Sequence, residues 1–292
     1  MSDIVQNAVV RAKLITFIGS TPNIGTTVSA FGTAVGLAQL TGRSIGYLCL
    51  NLKSSKIHRY LGYDAPRASL DGLRPELKAG RVDGGRLERY CLTVKGVSNL
   101  QVLPGNMQRE QAEYYSLADM DCLLRAAAER FDYLIADCSA YWDNAATIAA
   151  LRQAGQRMMV TTQQLGHFQE DMARWCAALA PIFGLSAAAF ACVLAQYSAV
   201  PADGFDDNDV STETGMPFMG KVGAMPELPL LLGQGKLLEA VNARRPLRDF
   251  QRLAGALLTV RGERPRPTGR TGSRLVALYR RKLAAWRTIY GR

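Results

Sequence analysis

The sequence predicts an α/β fold, a doubly wound and mainly parallel sheet flanked by helices, and three observations carry that reading. Apolar runs recur along the chain and are continuous rather than alternating, as strands buried on both faces of a parallel sheet require. Helical patterns lie between them. Hydrophobic residues make up 48% and charged residues 21% of the 292, an ordinary balance in a chain long enough for a large α/β domain.

In chain order the predicted strands are LITFI (14–18), IGYLCL (45–50), NLQVL (99–103), YLIAD (133–137), RMMVTT (157–162), FACVLA (190–195) and a weaker KVGAM (221–225). VSAFGTAVGLAQL follows the first of them as a helix. SLADMDCLLRAAAERF (116–131) sets Leu117, Met120, Leu124 and Ala128 at helical spacing, with Ser116 as N-cap and Asp119 three residues on. HFQEDMARWCAALAPIF (167–183) and KLLEAVNARRPLRDFQRLAGALLTV (236–260) each predict a further helix. The uncharged window from Ala177 to Ala202 is broken by Pro181 and Gly184. Its apolar parts are each shorter than the roughly 20 residues that span a bilayer, so it is expected to hold a helix end, a turn and a buried strand.

Other classes lose support. The start, MSDIVQNAVVRAK, lacks the apolar core and small-residue cleavage site of a secretory signal, so a cytoplasmic location is expected. Six scattered cysteines without a Cys-x-x-Cys pair predict reduced structural thiols. His58 and His167 are isolated, which gives a histidine metal site no support. Of the net charge of +10, residues 261–292 carry +9 and residues 1–260 only +1, so the basic character belongs to the tail.

Between the first strand and its helix lies Gly19-Ser20-Thr21-Pro22-Asn23-Ile24-Gly25-Thr26-Thr27. Strand, glycine-bounded turn and helix form the frame of a phosphate-binding loop, in which backbone N–H groups and a helix N-terminus face the anion. Aligned on the Gly-Lys-Thr end of that motif, Thr26 stands where the lysine belongs and Thr27 keeps the metal-ligand position. Asp137, closing the strand YLIAD, is placed to reach the metal through water.

The loop and the element Phe131-Asp132-Tyr133-Leu134-Ile135-Ala136-Asp137-Cys138-Ser139 resemble the ParA/MinD family of P-loop ATPases. The family's loop reads Lys-Gly-Gly-x-Gly-Lys-Thr-Thr, and its later strand Asp-Tyr, three apolar residues, Asp-x-Pro/Ser. The resemblance extends to about residue 255, with Met225-Pro226 similar to the segment that passes near the adenine. Leu100-Gln101-Val102-Leu103-Pro104-Gly105 looks most like the CpaE/TadZ-type proteins of Tad (Flp) pilus systems. It implies ATP or ADP with Mg2+ as possible ligands, held by Thr21, Asn23, Ile24, Gly25, Thr26, Thr27, Val28, Met225 and Pro226, with Thr27 and Asp137 at the metal. Whether the site holds a nucleotide or is nucleotide-free is left open by the sequence.

Departures from the family concern charge. Its two loop lysines fall at Thr21 and Thr26, its water-activating acid at Asn51, and its base-recognising Asn at Ala195. Asparagine positions water but does not accept its proton. The hydrolysis machinery is therefore expected to be dismantled, with Thr26 and Asn51 as degenerate catalytic positions. Lys53 and Lys56 are the two candidates for a replacement charge.

The expected organisation is a ParA/MinD-like domain over 1–260, a Pro, Gly and Arg-rich linker over 261–272 and a basic amphipathic helix over 273–292. In that helix Val276, Tyr279, Leu283, Trp286 and Tyr290 share one face while most arginines lie off it. It suits an anionic membrane surface, a protein partner or the chain's own core, or, with less support, nucleic acid.

The functional expectation is a scaffold or localisation factor for pilus or secretion machinery at the inner face of the cell membrane, with weak or no ATP hydrolysis. Its implied partners are a second copy of the chain, a secretion ATPase and inner-membrane assembly proteins. The alternative is an ATP-dependent dimerising switch that partitions or positions cargo.

Overall fold

In the computed structural model residues 3–200 and 204–264 are described. The elements run α1 (Asp3–Lys13), β1 (Leu14–Gly19), α2 (Thr26–Thr41), β2 (Ile45–Cys49), α3 (Ile57–Tyr60), α4 (Leu70–Lys78), α5 (Gly84–Glu88), β3 (Leu92–Thr93), β4 (Leu100–Leu103), α6 (Leu117–Arg130), β5 (Tyr133–Asp137), α7 (Ala145–Gln153) and β6 (Gln156–Thr161). After a segment of irregular helix come β7 (Ala191–Tyr197), α8 (Asp207–Thr214), β8 (Phe218–Gly223), α9 (Leu228–Gly233), α10 (Leu237–Asn242) and α11 (Arg244–Val260). The sheet order is β3-β4-β2-β5-β1-β6-β7-β8, with every pairing parallel except β3 with β4. The 273–292 helix and the linker beyond Arg264 lie outside the described residues.

Strand residues alternate between two buried faces, which is why the runs read as continuous. Ile15, Phe17, Tyr47 and Ile135 pack with α2, α10 and α11 on one side. Leu14, Leu48, Leu134 and Ala136 pack with α1, α4, α6 and α7 on the other. Helix α2 is apolar all round because it lies between the sheet and α11, and 14 of its 16 residues are buried. Its glycines set the spacing: a Cβ on Gly36 would stand 2.8 Å from the Phe250 carbonyl oxygen, a backbone atom that cannot swing away. Gly36→Val is expected to cost about 1–3 kcal/mol by overpacking, read as a lowered Tm in thermal denaturation.

Three elements differ from the sequence expectation. The 167–183 helix is wound as π turns over Gly166–Met172 and Trp175–Leu179, then as 3-10 helix over Ala180–Phe183. Its buried residues Phe168, Met172, Cys176 and Ala180 repeat strictly every four positions. That repeat outruns a 3.6-residue turn, and the wider i→i+5 turns keep the stripe straight. The 236–260 helix breaks at Ala243 (φ −58°, ψ 144°), since Pro246 has no N–H for the Asn242 carbonyl and its ring would clash there. The last strand covers 218–223 rather than 221–225, and Met225-Pro226 turn away from it. Beyond α11, Arg261 and Glu263 are tied to the domain, Glu263 through its N–H to the Leu258 carbonyl at 2.8 Å and its carboxylate to the Tyr133 hydroxyl.

Ser116 and Asp119 form the expected capping box. Burial pushes the Cys49 and Cys192 thiols up to about 12, which keeps them protonated and inert. No helix among the described residues is long and apolar enough to cross a membrane.

Candidate nucleotide pocket

A pocket of about 480 Å3 opens where the carboxyl ends of β1, β2, β5, β7 and β8 meet the N-terminus of α2. That edge is where open α/β sheets bind their ligands. The loop after β1 is fixed on both sides: the Gly19 N–H donates to the Ser139 carbonyl (2.6 Å) and the Ser20 N–H to that of Val160 (2.8 Å). The Trp175 indole N–H donates to the Ser20 carbonyl (2.6 Å), and its ring stacks on Trp142 at 5.4 Å.

Gly25 is the N-cap of α2 at φ 100°, a conformation that favours glycine, and no side chain caps the helix there. The first N–H groups of α2 therefore have no partner within the helix. Thr26 is buried, its Oγ1 only 2.4 Å from where a Cβ on Gly19 would be, so the hydroxyl lodges against the start of the loop.

Thr27 and Tyr47 both donate hydroxyl hydrogens to Asp137 Oδ2, at 2.7 and 2.8 Å, and the Ser139 N–H donates to Oδ1 at 3.2 Å. Asp137 is fully buried with no lysine or arginine against it among the described residues. Burial pushes its carboxyl above the ordinary range, and the hydrogen bonds oppose that only in part. Such a carboxylate with a hydroxyl beside it is a hard-oxygen donor set, so the residues fit Mg2+, which takes one or two protein oxygens and fills its shell with water and phosphate oxygens. No cluster of three or more His, Cys, Asp or Glu placed to hold a metal by itself occurs among the described residues.

Backbone strain converges on the same place. Asn23 (φ 66°), Ser139 (φ 55°) and Gln196 (φ 52°) are the non-glycine residues with positive φ among those described, and all three line the pocket. Strained backbone persists where the surrounding structure demands it, commonly at functional sites.

Of the loop and metal residues singled out in the sequence, Asn23, Gly25, Thr26, Thr27 and Val28 line the pocket, and Asp137 lies behind Thr27. Thr21 and Ile24 do not line it; Ile24 is a core residue on the α2 side of the sheet. Met225 and Pro226 form a wall with Leu228 and Leu232, and half-buried Tyr60 also lines the pocket. Ala195 packs toward Gly25 and, with its neighbour Gln196, lines the cavity. Asn51 lines it too, but its Oδ1 is engaged, accepting from the N–H groups of Ser54 (2.9 Å) and Lys53 (3.3 Å).

Lys53 is paired with Asp143, its ammonium 5.6 Å from the Tyr141 ring centroid, and does not line the pocket. Lys56 does, the only charged side chain among the described lining residues. Sequence reasoning missed Tyr47, which sits inside an apolar run, and Gln196, which lies just past the predicted strand 190–195 and within β7.

No protein-family model matches the chain, and no curated protein matches it in sequence. Solved structures do match it in shape. A ParA family ATPase from Chlorobium tepidum TLS superposes with a TM-score of 0.70 at 17% identity, over 83% of this chain and 98% of that one. The fold is that of the ParA/MinD P-loop NTPases. The MinC:MinD cell division complex of Aquifex aeolicus gives 0.68 at 14% identity, over 85% and 96% of the two chains. The septum site-determining protein MinD of Pyrococcus horikoshii OT3, complexed with Mg-ADP, gives 0.65 at 15%, over 86% and 97%.

Proposed function

We propose that the chain uses the ParA/MinD fold as a nucleotide-responsive scaffold with weak or no hydrolysis, a localisation factor of the CpaE/TadZ type. In this role it places pilus or secretion machinery at the inner face of the cell membrane, with a secretion ATPase, inner-membrane proteins and a second copy of itself as partners. The observation that carries the reading is the pocket's charge. Where lysine and acid would act stand a hydroxyl lodged against Gly19 and an amide whose oxygen caps the backbone, which leaves Lys56 alone.

What survives is a cradle. The free N–H groups of α2 and Lys56 suit phosphates, Thr27 and Asp137 suit Mg2+, and the Met225-Pro226 wall with Tyr60 suits a base whose edge Gln196 can reach. When bound, Mg2+ supplies neutralisation of phosphate charge. The Mg-ADP complex of the Pyrococcus horikoshii protein supports this choice of ligand.

Titration calorimetry with Mg-ATP and Mg-ADP tests the reading, alongside phosphate release. Wild type is expected to bind without turnover, and Lys56→Gln to weaken binding roughly tenfold, the loss of one charged contact. Lys56 also supports a second reading, an active dimerising ATPase that uses it as the replacement cation. Turnover above a no-protein blank that disappears in Thr27→Ala would select that switch.

A further inference from the structure

A second cleft, of about 530 Å3, lies on the flank where α1, α6 and α7 meet, and shares no residue with the nucleotide pocket. Asn7 and Arg11 of α1, Leu117 and Asp121 of α6, and Arg152 and Gln153 of α7 line it. Arg11 and Arg152 are exposed, and neither makes an ion pair among the described residues. Arg157 is buried near Arg11 with no carboxylate partner among the described residues, donating instead to the backbone carbonyls of Leu151 (2.5 Å) and Arg152 (3.4 Å). Burial, and then the charge of Arg11, holds Arg157 below the ordinary arginine value.

The one acid in the cleft is engaged, since Asp121 accepts from the Gln153 amide at 2.5 Å, and the Gln153 Oε1 is buried without a partner. Two arginines in the lining, with the Arg157 guanidinium buried near Arg11, against one carboxylate leave a surplus that an external anion would satisfy. Planar guanidinium groups match the oxygens of a phosphate in particular.

We propose that this cleft binds a phosphate group between Arg11 and Arg152, and that the phosphate is carried by an anionic phospholipid headgroup. An apolar group beside the arginines points to lipid. Leu117, in the lining of the cleft, is 40% exposed. Leucine next to arginine suits the boundary between headgroup and acyl chain, whereas a nucleic-acid backbone gives it nothing to pack on. Arg261, near the end of the described residues, donates to the Ala12 carbonyl at the close of α1, and the sequence of 265–292 carries seven Arg, one Lys and no acid. The lipid source rests on the membrane-facing reading of the chain; the phosphate site does not.

The full chain and its Arg11→Gln/Arg152→Gln double variant are compared by sedimentation with phosphatidylglycerol and phosphatidylcholine vesicles and by thermal shift with inorganic phosphate. Both positions are exposed, so the variant should melt with wild type. Its partition onto phosphatidylglycerol is expected to fall roughly 25-fold, about a fivefold loss for each arginine near an anionic surface. If wild type ignores vesicles but phosphate raises its Tm and not the variant's, the site stands with a free phosphate and the membrane reading fails. If both proteins bind vesicles equally and phosphate stabilises neither, the tail alone binds lipid and the site is refuted.

Discussion

Asp137→Ala is expected to lower stability by about 3 kcal/mol, roughly 6–12 °C in Tm, while Asp137→Asn is expected to melt at or above wild type near neutral pH. Alanine removes the acceptor of three donors: the buried Tyr47 hydroxyl and the half-buried Thr27 hydroxyl and Ser139 N–H. Asparagine keeps an acceptor oxygen for the two hydroxyls, gives up the longer Ser139 N–H bond, and removes a charge that burial makes costly. The pH dependence follows from the direction of the shift. The folded carboxyl holds its proton more tightly than the unfolded one, whose ordinary value is 3.8. The stability that protonation contributes is full below that value and is lost as pH rises through the folded one. The advantage of Asp137→Asn should therefore be smallest in acid and grow toward neutrality. Mg2+ with nucleotide should raise the Tm of wild type and not of Asp137→Asn. A variant that responds to Mg2+ like wild type would remove Asp137 from the metal site.

Much of the frame was legible because parallel strands buried on both faces must be apolar at successive positions. LITFI, IGYLCL and YLIAD could be read without knowing their neighbours. Two-residue β3 could not, since its partner is chosen by the tertiary fold and not by a local pattern. At the pocket, Thr26, Thr27 and Asp137 were legible through motif order. The roles of Tyr47 and Gln196 were not, because an apolar run conceals a hydroxyl and positive φ leaves no mark on a glutamine. Lys53 and Lys56 were equivalent in sequence, and Asp143, 90 positions further on, separates them by drawing Lys53 away.

Thr26→Lys is expected to raise affinity for Mg-ATP by roughly 10- to 100-fold, the value of one or more hydrogen bonds to a charged group, without bringing turnover above a blank. The loop already has the strand, the αL glycine and the free helix N-terminus that a lysine at this position works with. The niche beside Gly19 that holds the threonine hydroxyl is too small for a lysine, so the ammonium is directed into the pocket. Affinity is then restored, but the proton of the attacking water still has no acceptor, because Asn51 is neutral. Aspartate at 51 keeps both backbone hydrogen bonds, which use an acceptor oxygen, and leaves a second oxygen for water. Thr26→Lys/Asn51→Asp should therefore turn over where neither single variant does. Cationic stabilisation of phosphoryl transfer alone is worth about 3–7 kcal/mol, so the double variant's rate should exceed the blank by orders of magnitude. Unchanged affinity in Thr26→Lys would mean that the loop no longer receives phosphates at all. Wild-type turnover already equal to the double variant's would make the chain a working switch, its charge supplied by Lys56.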